Sequence, residues 1–166
     1  MLKYVDTLVS FQEVPDEISL CINISNCPNN CHGCHSAYLK EDIGTPLTLL
    51  EVSELINKNK GISCVAFLGG DSEPDHINSL AIWVRADFPN LKIAWYSGKS
   101  YIPTSIQMAN FNYIKVGPYK EECGPLTSKT TNQIMLKIEQ VEGRSLITDI
   151  TSKFWKDVHT IDSLQQ

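Results

Sequence analysis

The apolar pattern of this chain changes repeatedly between a period of two residues and a period of about 3.6, and this alternation constrains its fold most strongly. Four segments have the pattern of strands: residues 18–25, 62–70, 91–98 and 113–117. Three segments between them have the pattern of helices: residues 48–61, 74–88 and 104–111. Alternating strands and helices form right-handed βαβ units. The sequence therefore predicts an α/β fold with a mainly parallel sheet.

Local signals support several of these elements. Thr48 stands three residues before Glu51, which is the pattern of a capping box, and Gly61 ends the same helical segment. Residues 133–151 differ from the rest, because two apolar segments flank Glu142-Gly143-Arg144 and predict a C-terminal β-hairpin. The 166 residues contain no repeat and no linker, so we expect a single domain over 1–166.

Charge and hydropathy exclude several classes of function. The net charge is −5, and lysine and arginine are scattered instead of forming a basic stripe, so nucleic acid is not an expected partner. No stretch approaches 18 consecutive apolar residues, and acids interrupt the N-terminal segment where a signal peptide needs an apolar core. We therefore expect a cytoplasmic protein with no membrane partner.

The segment NCPNNCHGC, residues 26–34, places Cys27, Cys31 and Cys34 in the spacing C-x3-C-x2-C. The other three cysteines, Cys21, Cys64 and Cys123, stand far apart in the sequence. In a reducing compartment, this pattern favours one metal site together with unpaired thiols over a set of disulfides.

Three interpretations of the cysteine cluster remain open. The polar spacers make three buried thiols without a metal a poor interpretation. Structural zinc needs four ligands. His32 or His35 could supply the fourth, but each is adjacent to a cysteine in sequence, which makes binding to the same ion awkward. A 4Fe-4S cluster usually takes four cysteines, so three would leave one iron open to a substrate.

Three polar loops follow three of the predicted strands. The cysteine loop follows the first, the GGD turn (residues 69–71) follows the second, and the YSGK segment (residues 96–99) follows the third. Ligands of parallel α/β sheets bind beyond the carboxyl ends of the strands. The sequence therefore predicts that these loops converge on one site.

The cysteine motif after the first strand, together with FLGGDSEP (residues 67–74) after the next, resembles the radical S-adenosylmethionine superfamily. In that superfamily the open iron of the cluster is chelated by the amino and carboxylate groups of S-adenosylmethionine, and a GGE-like turn receives the amino group. Here Asp71 stands in place of the usual glutamate. Gly33 occupies the position before the last cysteine, which is often aromatic in the superfamily.

Within that superfamily, the order of six segments resembles the activating proteins of anaerobic ribonucleoside-triphosphate reductase: CPNNCHGCHS, FLGGD, AWYSGK, YIKVGPY, GPLTSKTTNQ and DITSKFW. The resemblance covers roughly Tyr4 to Trp155. It implies a shortened, open (β/α) partial barrel. It also implies that a 5'-deoxyadenosyl radical, made by reductive cleavage of S-adenosylmethionine, generates a glycyl radical on the large subunit of the reductase, with a flavodoxin or ferredoxin-type protein as electron donor.

The resemblance also implies roles for individual residues. The 4Fe-4S cluster would be held by Cys27, Cys31 and Cys34. Residues expected to bind S-adenosylmethionine are Gly69, Gly70 and Asp71 in the GGD turn, Ser97 and Gly98 in the next loop, and Lys115 for the carboxylate. No acid–base residue is required. Two alternatives remain: an activase for another glycyl-radical enzyme of the pyruvate formate-lyase type, and a non-catalytic binding module stabilised by zinc.

Overall fold

The computed structural model describes residues 1–155. Its strands are β1 (Lys3–Ser10), β2 (Ser19–Ile24), β3 (Thr45–Pro46), β4 (Cys64–Leu68), β5 (Lys92–Tyr96), β6 (Tyr113–Val116), β7 (Ile134–Val141) and β8 (Arg144–Asp149). Its α-helices are α1 (Leu49–Lys58) and α2 (Pro74–Asp87), and short 3-10 turns lie at Ala37–Lys40, Met108–Asn110 and Thr151–Phe154. Neither α-helix of this part of the chain is long and apolar enough to cross a bilayer.

All eight strands form one open, mixed sheet in the order β3-β1-β2-β4-β5-β6-β7-β8. The central strands β2, β4, β5 and β6 are parallel, as the sequence predicted. The flanking strands pair antiparallel on both sides, and β7 and β8 form the predicted C-terminal hairpin. The predicted α/β class, with parallel central strands in an open sheet, is therefore confirmed, although the sheet as a whole is mixed and not mainly parallel.

The structure corrects two details of the prediction. Strands β1 and β3 were not anticipated, and they extend the sheet beyond β2 by antiparallel pairing. The helix predicted over residues 104–111 is wrong, because only Met108–Asn110 forms a 3-10 turn there. Pro103 immediately precedes these residues, and the Ile106 N–H donates a hydrogen bond to the Pro103 carbonyl in a turn. The connection from β5 to β6 therefore adds no third α-helix.

Helix α1 begins where the capping pattern predicted. The Thr48 side chain accepts a hydrogen bond from Glu51 N–H at 3.2 Å, which satisfies one of the free donors at the helix start. The Glu51 carboxylate accepts from the Tyr4 hydroxyl at 2.5 Å instead of returning to Thr48. The helix start is thereby joined to β1, the strand that the sequence pattern did not reveal.

The two faces of the sheet are covered differently. Helices α1 and α2 pack on one face over the main apolar core, which includes Ile22, Phe67 and Trp95. The opposite face carries small or polar-tipped side chains such as Cys21, Ala66 and Tyr113, and loop residues including Val14 and Ile150 cover it. This second face is not covered by an α-helix in the described part of the chain, which leaves room for a cavity at its carboxyl end.

Candidate functional site

A cavity of about 430 Å³ lies at the carboxyl end of the parallel strands, on the face opposite the helices. One row of side chains from four adjacent strands lines it: Asn23, Leu68, Tyr96 and Lys115. These residues are cross-strand neighbours, since Asn23 pairs with Leu68, Leu68 with Tyr96, and Tyr96 with Lys115. Side chains at paired positions point to the same face of a sheet. The parallel register therefore builds the floor of the cavity.

The cysteine loop forms one wall of this cavity. Cys27, Cys31 and Cys34 all line it, all are partly buried, and none forms a disulfide. The loop leaves β2 through Asn26, whose φ of 57° turns the chain, and the Cys27 N–H donates to the Leu39 carbonyl at 2.9 Å. The structure therefore brings together the three cysteines that the motif singled out.

The other three cysteines lie elsewhere. Cys21 and Cys64 are fully buried within the sheet, where burial raises the pKa of each thiol to about 12. Cys123 is partly buried and does not line the cavity. Buried thiols with a raised pKa are poor metal ligands. Of the six cysteines, Cys27, Cys31 and Cys34 are therefore the candidate metal ligands at the cavity.

The three cysteines fit a cluster better than a single ion. Within residues 1–155, no three His, Cys, Asp or Glu side chains are placed to hold one metal ion. A 4Fe-4S cluster does not require such convergence, because each thiolate binds a different iron. Burial raises the pKa of Cys27, while N–H groups of Asn29 act in the opposite direction. Coordination to iron would deprotonate this thiol regardless.

Asp71 connects the three loops that the sequence predicted to converge. Its carboxylate is buried, with 4% of its surface exposed. It accepts hydrogen bonds from the Asn29 amide at 2.6 Å, the Ser97 hydroxyl at 2.6 Å and the Gly98 N–H at 2.8 Å. Convergence of the cysteine loop, the GGD turn and the YSGK segment is thus observed, and one buried carboxylate holds them together.

The two glycines of the GGD turn are engaged differently. Gly69 lines the cavity, and its carbonyl accepts from the Trp95 indole N–H at 2.8 Å. Gly70 does not line the cavity, and its carbonyl accepts from Glu73 N–H at the start of α2. The Asp71 carboxylate already has three donors. Binding of a ligand amino group by this turn therefore stays a prediction, and Gly69 is the glycine that lies at the cavity.

Lys115 is a buried cation on the cavity floor, with 8% of its surface exposed. Its ammonium group donates to the Gly117 carbonyl at 2.8 Å and to the Ser97 carbonyl at 3.4 Å. Burial lowers the pKa of Lys115 to about 8, although the charges of Asp71, Cys31 and Cys34 act in the opposite direction. A cation in this position can attract thiolates and an anionic ligand into the cavity.

Sequence reasoning missed two residues at this site. Asn29 lies between the cysteines of the motif and donates to both Asp71 and the Cys27 sulfur. Glu13 lines the cavity from the loop before β2, and burial raises its pKa. Its carboxylate has no hydrogen bond or ion pair with any residue that the structure describes. No local signal marked Glu13, because it does not follow a parallel strand.

The two histidines of the motif contact a single neighbouring segment. His32 Nδ1 lies 3.0 Å from Glu121 Oε2, and the His35 ring packs against Tyr119 with ring centroids 5.7 Å apart. Both contacts join the cysteine loop to residues 119–121. The exposed side chain of His32 and this packing favour a role for the histidines in loop structure.

A second cleft, of about 670 Å³, lies against the same loop. It shares Asn29, Cys31, Gly98 and Tyr119 with the cavity. The cysteine loop therefore lies between the cavity and the second cleft.

Comparison with known families identifies the class of this domain. A family model described as a 4Fe-4S single cluster domain matches residues 18–120, which is more than half of the chain. The chain belongs to this family. The match includes all three cysteines of the motif and the three loops that Asp71 joins. It supports a 4Fe-4S cluster and fits an iron–sulfur protein of the radical S-adenosylmethionine type. No curated protein and no solved structure matches the chain.

Proposed function

We propose that this protein is a radical S-adenosylmethionine activase that generates a glycyl radical on the large subunit of anaerobic ribonucleoside-triphosphate reductase. When bound, a 4Fe-4S cluster and S-adenosylmethionine supply reductive carbon–sulfur cleavage to methionine and a 5'-deoxyadenosyl radical, which takes a hydrogen atom from the partner's glycine. The proposed activity is based on the resemblance of the sequence motifs to this family. The proposed cluster is supported by the match to a 4Fe-4S single cluster domain.

The observation that carries the proposal is a set of three free thiols, not four, around one cavity. Cys27, Cys31 and Cys34 line it, and the remaining cysteines of the chain do not. A cluster held by three thiolates has one iron without a protein sulfur, and an open metal position accepts a substrate. An electron-transfer ferredoxin, by contrast, normally closes its cluster with a fourth cysteine.

Other residues of the cavity suit the two ends of S-adenosylmethionine. Under this proposal the buried ammonium group of Lys115 attracts the methionine carboxylate. Ser97 and Gly98 contact the methionine or ribose, and Gly69 allows close approach of the backbone. The Glu13 carboxylate, which has no partner within residues 1–155, can accept from hydroxyl or amino groups at the far end of the ligand. Apolar walls such as Leu68 and Leu126 exclude water from the reacting bond.

The same proposal names two protein partners, the reductase and an electron donor. The cleft of about 670 Å³ on the other side of the cysteine loop is lined by Cys31 and Gly98, and it offers an approach to the cluster from outside. We assign it to the glycine loop of the reductase. The electron donor would be a flavodoxin or a ferredoxin-type protein, because reduction of the cluster needs one electron at a time.

Anaerobic reconstitution with iron and sulfide, followed by addition of dithionite and S-adenosylmethionine, tests the activity. We expect about four irons and four sulfides per chain, and release of 5'-deoxyadenosine and methionine. Purified anaerobic reductase should then gain the electron paramagnetic resonance signal of a glycyl radical. A signal on a pyruvate formate-lyase instead would reassign the partner. Binding of one zinc with no sulfide would contradict the enzyme activity altogether.

A further inference from the structure

Asn29 makes the most direct contact between a predicted cluster ligand and the rest of the cavity. Its side-chain nitrogen lies 3.7 Å from the Cys27 sulfur and 2.6 Å from Asp71 Oδ2. An amide nitrogen carries two hydrogens, so it can donate to both acceptors at once. The Asn29 side chain therefore joins the Cys27 sulfur to the buried Asp71 carboxylate.

The surroundings hold this amide in place. Asp71 is buried, and it is fixed in turn by the Ser97 hydroxyl and the Gly98 N–H. Gly98 also leaves the space that the amide occupies, because a Cβ at this position would overlap the Asn29 side-chain nitrogen. Within residues 1–155, neither Cys31 nor Cys34 has a comparable N–H donor to its sulfur. The three thiols are thus not equivalent.

We propose that Asn29 is a positioning residue that orients the Cys27 thiolate and raises the reduction potential of the cluster through the hydrogen bond of its side-chain amide to that sulfur. Hydrogen bonds to cluster sulfurs are one of the means by which proteins set cluster potentials, since they favour the more negative, reduced state. Because Asp71 holds the same amide, the position of the GGD turn also determines the strength of this bond. The inference rests on the proposed cluster site but not on cleavage of S-adenosylmethionine.

The test compares the reconstituted wild-type protein with Asn29→Ala and Asn30→Ala in a redox titration without S-adenosylmethionine. Asn30 is a matched control, because it is the next residue of the loop and, among the described residues, its amide oxygen accepts only from the exposed Lys40 ammonium group at 2.7 Å. At a fixed applied potential, we expect Asn29→Ala to lower the ratio of reduced to oxidised cluster about tenfold, as loss of a hydrogen bond to a charged acceptor would. Asn30→Ala should leave the ratio unchanged.

A second variant tests the role of Asn29 if the Asn29→Ala protein does not bind the cluster. Gly98→Ala retains the asparagine but displaces its amide, so its cluster should also become harder to reduce. Thermal unfolding of the metal-free proteins reports any general damage to the fold. Equal potentials for the wild type, Asn29→Ala and Gly98→Ala, or equal shifts for Asn29→Ala and Asn30→Ala, would overturn the role of Asn29.

Failure of this inference and failure of the proposed function give different results. Equal potentials in proteins that still cleave S-adenosylmethionine contradict only the role of Asn29. The expected shift in a protein that does not cleave S-adenosylmethionine supports Asn29 and contradicts only the proposed activity. A wild-type chain that takes up neither iron nor sulfide contradicts both.

Discussion

At the scale of residues, Asp71 shows how one short side chain can organise a site. It follows two glycines at the end of β4, which places its carboxylate where three loops meet. A buried carboxylate needs several donors to offset the loss of water, and the amide, hydroxyl and backbone N–H around it provide them. The carboxylate of Asp71 therefore joins three loops of the site through its hydrogen bonds.

Replacement of single cysteines separates ligands from buried thiols. We expect Cys31→Ala to prevent stable uptake of the cluster, because two protein thiolates would remain. Cys64→Ala should retain iron and sulfide, since Cys64 is fully buried in β4 away from the cavity, and should lower the free energy of unfolding by about 1–2 kcal/mol. Iron and sulfide analysis after anaerobic reconstitution checks both. Equal iron loss in the two variants would show that the ligand assignment is wrong.

Lys115 makes the stability of the metal-free protein depend on pH. Burial lowers its pKa from 10.5 to about 8, so between these values the unfolded chain binds a proton that the folded chain does not. Below about pH 8 the ammonium group is charged in both the folded and the unfolded chain, so its burial lowers the free energy of unfolding by the full amount. Above about pH 10.5 the group is neutral in both states, and this cost is absent. Relative to Lys115→Met, the wild-type free energy of unfolding should therefore rise by roughly 3 kcal/mol between pH 7 and pH 11.

Urea unfolding of both proteins under reducing conditions measures this difference at each pH. Subtraction of the variant removes the contributions of other groups that titrate in the same range. A difference between the proteins that stays constant from pH 7 to pH 11 would mean that Lys115 keeps its ordinary pKa in the folded protein.

At the scale of elements, the turn from β4 to α2 depends on close packing against the helix. Gly70 has a φ of 90°, and a Cβ there would lie 2.5 Å from Ile77 Cδ1 and 3.3 Å from Leu2 Cδ1. The turn brings the start of α2 against Leu2, the residue before β1, and sets the position of the adjacent Asp71. A substitution in this turn should therefore disturb both the helix packing and the site.

The matched pair Gly70→Ala and Gly61→Ala isolates this packing. Both glycines have a positive φ, but a Cβ at Gly61 would meet no atom within 4 Å. We expect Gly61→Ala to cost about 1 kcal/mol from backbone strain alone, and Gly70→Ala to cost about 3 kcal/mol because overpacking is added. Chemical denaturation of the two variants provides the comparison. Similar losses at both positions would mean that α2 can move to accommodate the methyl group.

At the scale of the whole molecule, the sheet is open, and within residues 1–155 only one of its faces carries α-helices. The cavity at the other face is closed by loops, including residues 12–13 and 125–127, instead of by further strand–helix units. A reactive carbon radical in such a site needs protection from solvent. Under the proposed function, the partner reductase would complete the wall on the side of the cysteine loop.

This arrangement predicts that the partner couples cleavage to radical formation. The isolated protein should cleave S-adenosylmethionine slowly, and much of the 5'-deoxyadenosine should form without a glycyl radical. Addition of the reductase should bring the ratio of 5'-deoxyadenosine to glycyl radical toward one and should protect the cluster from chelators, because it excludes solvent. Measurement of the ratio with and without the reductase tests this. Unchanged cleavage and unchanged chelator access would contradict a shared wall.

Several features of this protein were determined by the sequence alone. Strict changes of apolar period predicted the four parallel strands, α1, α2 and the C-terminal hairpin, because these elements bury one face each and leave a periodic trace. The cysteine spacing and its place after β2 predicted a cluster loop, and strand-end position predicted its convergence with the GGD turn and the YSGK segment. The assignment of individual ligands remains a prediction.

Other features were decided only by the tertiary structure. Strand β1 is mostly half-exposed at the margin of the sheet, so its apolar period is weak, and it is stabilised by pairing with β2. Residues 104–111 have a helical pattern, yet the chain forms a turn in which the Ile106 N–H donates to the Pro103 carbonyl, followed by a 3-10 turn at Met108–Asn110. Glu13 and Asn29 line the cavity beside residues that are distant from them in sequence. Hydrogen bonding and burial at such contacts depend on the three-dimensional approach of separate loops, which local sequence patterns do not encode.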